Sequence, residues 1–242
     1  MPLVERLAIT QITTRQWPLN KAVDGYARAG VFGIGLWRDR VAEHGVQRAR
    51  QLCADAGMWV PSLCKTGDLS TGDAAGATDA LDDCRQTVDE AAELGAACVV
   101  FVCGGIGEPH CNIQDARQRV EDVFVKACEY AAHTGVRVAV EPFHPMHAAT
   151  RGCINTMRQG SEMCKRAGEG SALLFDVFHC WWDPDLEAVV GESDPEIFPS
   201  VQLCDWRVPT RDPVNDRAFM GEGVAHPEDF VRLFETRGYT GP

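Results

Sequence analysis

The sequence predicts an α/β fold, a (β/α)8 barrel of parallel strands built as one domain over residues 1–242. Three observations carry that prediction. Strand-like runs, each followed by a helical pattern, recur roughly 25 to 40 residues apart, the length of one βα unit. The stretch after the first run, ITTRQWPLN, lacks the G-x-G-x-x-G turn that an open doubly wound sheet usually carries there. Polar residues also gather at the C-terminal ends of several runs, where a barrel collects its functional groups.

The first run is Arg6–Thr13, followed by Val31–Trp37, Met58–Cys64 and Ala97–Cys103. Three more follow at Val136–Phe143, Ala172–His179 and Ser200–Trp206. Small and β-branched residues such as Val136, Val138, Ala139 and Val140 suit a strand buried on both faces. Between the runs lie amphipathic helices. One places Leu81, Val88, Ala92 and Leu94 on one side and stops at Gly95; another carries Val120, Val123, Phe124, Ala127, Cys128 and Ala131 and stops at Gly135. An unbroken β-then-α series means parallel strands. An eighth strand should follow the last helix, HPEDFVRLFETRG, yet the sequence stops at Pro242 without one; a truncated chain, an open barrel and a barrel completed by another chain all fit that expectation.

A formal charge of −12 argues against a nucleic-acid surface, which needs a basic stripe, and against docking on anionic membranes. No apolar run approaches the roughly 18 residues of a membrane span, and the N-terminus lacks a basic region followed by an apolar block. The expectation is a soluble, cytoplasmic protein that takes a small molecule, with a homo-oligomer compatible with the sequence. The eleven cysteines form no C-x-x-C pair and read as buried, reduced thiols, Cys64 and Cys103 being the two nearest strand ends.

Three runs carry the chemistry. Glu141 closes the fifth strand; Asp176 lies in the sixth, with His179 three residues on; Gln202 lies in the seventh, followed by Asp205 and Arg207. A carboxylate in a buried strand must be paired, protonated or bound to a metal. Two of them and a neutral amide converging on one mouth suggest a divalent cation. Oxygen donors favour Mg2+ or Mn2+ over Zn2+. Taken singly, each has a plainer reading: helix cap, ion-pair partner, satisfied core histidine or amide. Recurrence in three consecutive units is what favours a site. Tryptophans at strand ends, Trp37 and Trp182 above all, suit either the apolar face of a sugar ring or ordinary core packing. The GGIGEPH stretch, Gly104 to His110, reads as a loop over the mouth or a plain turn, and Thr210–Gly223 as a long loop in which Glu222 orients Arg207 or the substrate, or is simply solvated.

E-P-x-H-P at Glu141–Pro145, F-D-x-x-H at Phe175–His179, and Q-L-C-D-W-R followed by G-E-G at Gly221–Gly223 resemble the xylose isomerase-like TIM barrels. The likeness is greatest to the sugar phosphate isomerase/epimerase branch, which includes hydroxypyruvate isomerase, ketose 3-epimerases and inosose dehydratase. It covers nearly the whole chain. By that resemblance Glu141, Asp176 and Gln202 are metal ligands, and Glu141 is also the catalytic base. His179 and Arg207 are implied to grip substrate hydroxyls, and His144, standing where Asn is commoner, to reach a substrate oxygen. The branch's second glutamate, a fourth ligand on strand eight, has no counterpart before Pro242. The implied activity is a metal-dependent isomerase or epimerase working next to a carbonyl through an enediolate. A lyase acting on a keto-sugar or keto-glycoside is the alternative, and a non-catalytic barrel the third reading. The apurinic endonuclease branch, with several zincs on many histidines, fits poorly with seven histidines and an acidic chain.

Overall fold

The computed structural model describes residues 3–66, 74–107, 112–212 and 214–242. A short helix, α1 (Leu3–Arg6), leads into β1 (Ala8–Thr10), a 3-10 turn at Gln11–Thr14 and α2 (Leu19–Arg28). Next come β2 (Gly33–Trp37), α3 (Arg38–Ala42), α4 (Val46–Asp55), β3 (Ser62–Thr66), α5 (Ala74–Leu94), β4 (Cys98–Phe101) and α6 (Ile113–Ala131). After β5 (Arg137–Val140) and a 3-10 turn at Pro145–His147, the chain forms α7 (Met157–Ala167), β6 (Ser171–Leu173), β7 (Phe175–Asp176), α8 (Val177–Cys180) and α9 (Leu186–Glu192). A third 3-10 turn at Pro195–Ile197 precedes β8 (Val201–Gln202), β9 (Asp205–Trp206), β10 (Arg217–Ala218) and α10 (Pro227–Thr236).

Strands β1 to β6 form one parallel sheet in sequence order, and β7, one residue beyond β6, continues it by pairing in parallel with β8. Both faces of β2, β4, β5 and β6 are largely buried, as their composition requires, while β1 and β8 are half-buried. Residues that pair in register share a face, as do alternate residues along a strand, so one face carries Thr10, Gly35, Ser62, Cys64, Val100, Ala139 and Ala172. This face is the barrel interior, and its residues are small because seven strands converge there. A Cβ on Gly35 would lie 3.3 Å from Ser62 Oγ and 3.4 Å from Thr10 Oγ1. Cys98, Val100, Val102, Ala139, Phe143, Ala172 and Leu174 form the apolar filling. The opposite row, with Ile34, Leu36, Leu63, Val99, Phe101, Val138, Val140 and Leu173, packs under the helices in a second and larger core.

The helix faces follow the sequence expectation with one correction. All six residues assigned to the inner face of α6 are buried. On α5 the buried stripe is Ala80, Cys84, Val88 and Ala91, and Ala92 is exposed, because the 3.6-residue period carries the stripe one position earlier. Gly95 and Gly135 sit at φ 72° and 78°, the left-handed conformation that ends a helix without steric cost.

Two predicted strands end early, each for a local reason. The run Ala172–His179 turns helical at Val177, because the Asp176 side chain accepts the Phe178 N–H at 2.8 Å and caps α8. The run Ser200–Trp206 pairs with β7 only through Gln202; Asp205 and Trp206 then pair antiparallel with Ala218 and Arg217. Asp205 organises that turn: its buried carboxylate accepts the N–H groups of Trp206, Gly221, Gly223 and Ala225 at 2.8–3.0 Å. Burial alone would raise its pKa, but these four donors hold it below the ordinary value. A Cβ on Gly223 would lie 2.4 Å from the Asp205 carboxylate, which is why the G-E-G segment can wrap it.

No described strand joins β8 to β1. Into that gap come Gly241 and Pro242, whose carbonyls accept hydrogen bonds from Arg6 at 3.1 Å and from the Val201 N–H at 2.9 Å. The architecture is a partial (β/α)8 barrel. Among the described residues no helix is long and apolar enough to cross a membrane.

Helix α10 is fastened to the back of β7 by aromatic packing: Phe175 lies 5.4 Å from the Phe230 ring and 5.1 Å from Phe234. Phe175→Ala should cost about 3–5 kcal/mol. Because Phe234→Ala empties the same cavity, the double variant should lose less than the sum of the two. Urea unfolding of the three variants checks both statements.

Candidate active site at the barrel mouth

Glu141 continues the inward row of β5 past Ala139. Its N–H still joins the ladder, donating to the Phe101 carbonyl at 3.2 Å, while Pro142 removes the next donor and turns the chain out of the sheet. Asp176 occupies the corresponding inward position on β7. The helical turn it caps brings His179 round to the same side, three residues on. One ligand atom from each of Glu141, Asp176 and His179 lies within 4.8 Å of the others, and all three side chains are buried.

The cluster is charged unevenly. Asp176 accepts two hydrogen bonds from one Arg217 nitrogen, at 2.8 and 3.1 Å. Burial alone would raise the Asp176 pKa, but Arg217, His179 and the Phe178 N–H outweigh it and hold the carboxyl below its ordinary value. Glu141 accepts no hydrogen bond from the described residues. Burial first, then the Asp176 charge, pushes its carboxyl up to about 8, against the pull of Arg217 and Arg151. Burial also lowers His179 to about 3, so its ring is neutral. The Nδ1 atom of that ring accepts the His144 N–H at 3.4 Å, which assigns the proton to Nε2, 4.0 Å from Asp176 and 3.5 Å from Arg217.

The remaining sequence-selected residues distribute as follows. Gln202 is the register partner of Asp176 and so faces the same side; it is half-buried. Trp37 is the last residue of β2 and the register partner of Cys64, whose thiol is pushed up by burial and by the Glu141 charge. The Trp37 indole N–H is buried without a hydrogen-bond partner among the described residues. His144 stacks on Trp206, with centroids 5.2 Å apart, and meets the edge of Trp182 at 5.5 Å. Trp182 in turn donates its indole N–H to the His179 carbonyl at 2.8 Å, so it buttresses the helical turn that carries the histidine. Cys103 is held as a thiol by its hydrogen bond to Cys153 and by burial, which leaves no nucleophile at the mouth among the two cysteines nearest strand ends.

Arg207 stands with Asp216, at 3.2 Å, and more loosely with Glu222, at 3.9 Å; the arginine on the carboxylate cluster is Arg217. Sequence reading missed Arg217 because it lay inside a stretch taken as one long loop. Two-residue strands such as β9 and β10 carry no periodicity. The available signal was the acid–glycine pairing of Asp205 with Gly221 and Gly223, which folds the hairpin and delivers Arg217 opposite Trp206. Of the GGIGEPH stretch, residues 108–110 lie outside the described residues.

Comparison with known proteins agrees with this geometry. A family model described as xylose isomerase-like TIM barrel matches residues 23–242. Protein SMc04130 from Sinorhizobium meliloti 1021 is 39% identical; the match covers 98% of this chain and 87% of that one, with a TM-score of 0.94. The IOLI protein, in a crystal structure with a zinc atom, is similar in fold at 16% identity, covering 97% of this chain and 86% of its own, with a TM-score of 0.81. So is the 3-keto-D-glucoside 4-epimerase YcjR of E. coli, at 16% identity over 93% and 84% of the two chains and a TM-score of 0.75. Among curated proteins, none matches the chain. With the family model spanning most of its length, the chain belongs to the xylose isomerase-like TIM barrels.

Proposed function

We propose that this chain is a divalent-metal-dependent sugar isomerase or epimerase that moves a proton next to the carbonyl of a small ketose-like substrate. The observation that carries the reading is Glu141: a buried carboxylate at the mouth of the barrel, within 4.8 Å of a second carboxylate, that no described side chain satisfies. Such a group fits a cation. Glu141, Asp176 and Gln202 would hold it through oxygen, which suits Mn2+ or Mg2+, with His179 within reach of the same place. When bound, the ion would polarise the substrate carbonyl.

The chain's own residues supply the rest. Glu141, whose carboxyl is pushed up to about 8 in the metal-free chain, would be held ionised by a bound cation and could then take a proton from a carbon beside the carbonyl. His179 in its neutral form offers an Nε2–H to a substrate oxygen. Arg217 keeps Asp176 ionised, and the bonds from one of its nitrogens to both oxygens fix the carboxylate's orientation. Trp37 brings an apolar face and an unused N–H donor, a pairing that suits a polyhydroxylated ring. Support from relatives is at the level of fold: one solved structure carries a zinc atom and another is an epimerase of a keto-glucoside.

Deuterium uptake from D2O into a panel of ketoses, with Mn2+ supplied, tests the assignment. The wild-type chain should label the carbon next to the carbonyl, and Glu141→Gln should slow labelling by about 100-fold or more. Elimination products in place of isomerised ketose would reassign the reaction to a lyase. A second measurement needs no substrate. Glu141 holds a proton in the folded state up to about pH 8 that the unfolded chain releases near 4.5, so metal-free stability should fall as pH rises through that window. Differential scanning fluorimetry in EDTA should therefore find Glu141→Gln melting above wild type at pH 9, with the gap closing towards pH 4.

A further inference from the structure

The loop after β5 carries a cation, Arg151, that no described side chain pairs. Among the described residues Arg151 makes no ion pair and no side-chain hydrogen bond, whereas its neighbours are engaged: Arg217 with Asp176, Arg207 with Asp216, and Arg117 with the Cys153 carbonyl and Asn155. Its guanidinium lies over the face of Phe143, 5.4 Å from guanidinium carbon to ring centroid. That ring lies stacked on His179, centroids 4.0 Å apart and planes 23° from parallel. The guanidinium is thus one aromatic ring away from the histidine of the cluster. Its charge is felt there too, lowering Glu141 and disfavouring the protonated form of His179.

This position is built. The N–H groups of Thr150, Arg151 and Gly152 all donate to the His147 carbonyl, at 2.9–3.1 Å. Gly152 bridges to Gly104, just beyond β4, and the Cys153 N–H donates to the Gly104 carbonyl at 3.0 Å. The backbones approach so closely that a Cβ on Gly105 would lie 2.4 Å from the Ala149 carbonyl, and one on Gly152 would lie 2.7 Å from Phe143 Cβ. A solvated surface arginine has no use for such clamping. The charge balance points the same way. The chain as a whole is at −12, yet among the described residues at this mouth Asp176 is matched by Arg217, and while Glu141 keeps its proton Arg151 has no matching negative charge.

Resting on the isomerase or epimerase reading, we propose that Arg151 is a specificity-determining residue that binds an anionic group of the substrate, so that the enzyme acts on a keto-sugar carrying a carboxylate or a phosphate. The anion lies beside the Phe143 face, on the loop side of the cluster, while the carbonyl end of the same molecule faces Glu141. A guanidinium suits either oxyanion, since its fork donates two parallel hydrogen bonds to both.

Titration calorimetry on the full-length, Mn2+-loaded chain with inorganic phosphate and with malonate tests this. The wild-type protein should bind at least one of the two, and which one identifies the substituent. Arg151→Met, which keeps the apolar stem over Phe143, should weaken that binding by about tenfold or more, and Arg151→Lys should recover part of it. Equal binding by wild type and Arg151→Met with unchanged melting temperatures, or no binding of either anion to wild type, overturns the proposal. A lowered melting temperature in Arg151→Met shifts the decision to Arg151→Lys, whose affinity must then lie between wild type and Met. These results stand apart from the deuterium experiment. Anion binding that depends on Arg151 with no exchange into any ketose would defeat the isomerase reading and leave this site in place.

Discussion

Two carboxylates and an imidazole share a space too small and too dry for two uncompensated negative charges, and much of the mouth is arranged around that fact. The protein resolves it asymmetrically. Asp176 receives an arginine and a backbone N–H; Glu141 receives neither and carries the cost as an elevated affinity for protons. Had both been paired, the cluster would be an ordinary buried salt-bridge network with no appetite for a guest. Had neither been paired, both would protonate and the site would lose its charge. Leaving one carboxylate satisfied and the other open keeps one fixed anchor and one group free to act.

The surroundings extend the same logic. Phe143 lies flat on His179, Trp182 ties down the carbonyl of that residue, and His144 is held between two indoles. These contacts immobilise the imidazole and exclude water from one side, so an electrostatic interaction at its Nε2 is stronger than it would be in solvent. The parallel strands below provide the rigid floor, with glycine, alanine, serine and cysteine in the inward row leaving the bulk to the residues at the top.

The barrel was readable from the chain because its signal is repeated: strand runs buried on both faces, helices with one apolar stripe, and glycines with left-handed backbone at helix ends such as Gly95 and Gly135. The charged centre was readable in Glu141 and Asp176 because a carboxylate inside an apolar run is a local anomaly. What escaped was set by contacts distant in sequence. Asp176 doubles as a helix cap, which shortened the sixth strand. Arg217 reaches the centre only because a hairpin folds 41 positions away from Asp176 along the chain. Arg207 sits next to the seventh strand and drew attention by proximity, but its guanidinium is directed to Asp216 by the same hairpin. Arg151 gave no signal, since an unpaired arginine in a loop looks like any other solvated side chain until its neighbours are located.

The hairpin has a consequence of its own. Arg217 owes its position to Asp205, a side chain whose oxygens are wholly occupied by main-chain amides. Exchange that acid for an amide and one would scramble a knot of peptide groups, and the guanidinium facing Asp176 would drift with them. The reacting centre therefore answers to a residue that never meets the guest. Sequence drift among relatives should be tolerated least where it loosens this remote latch, even when every group touching the ligand is retained.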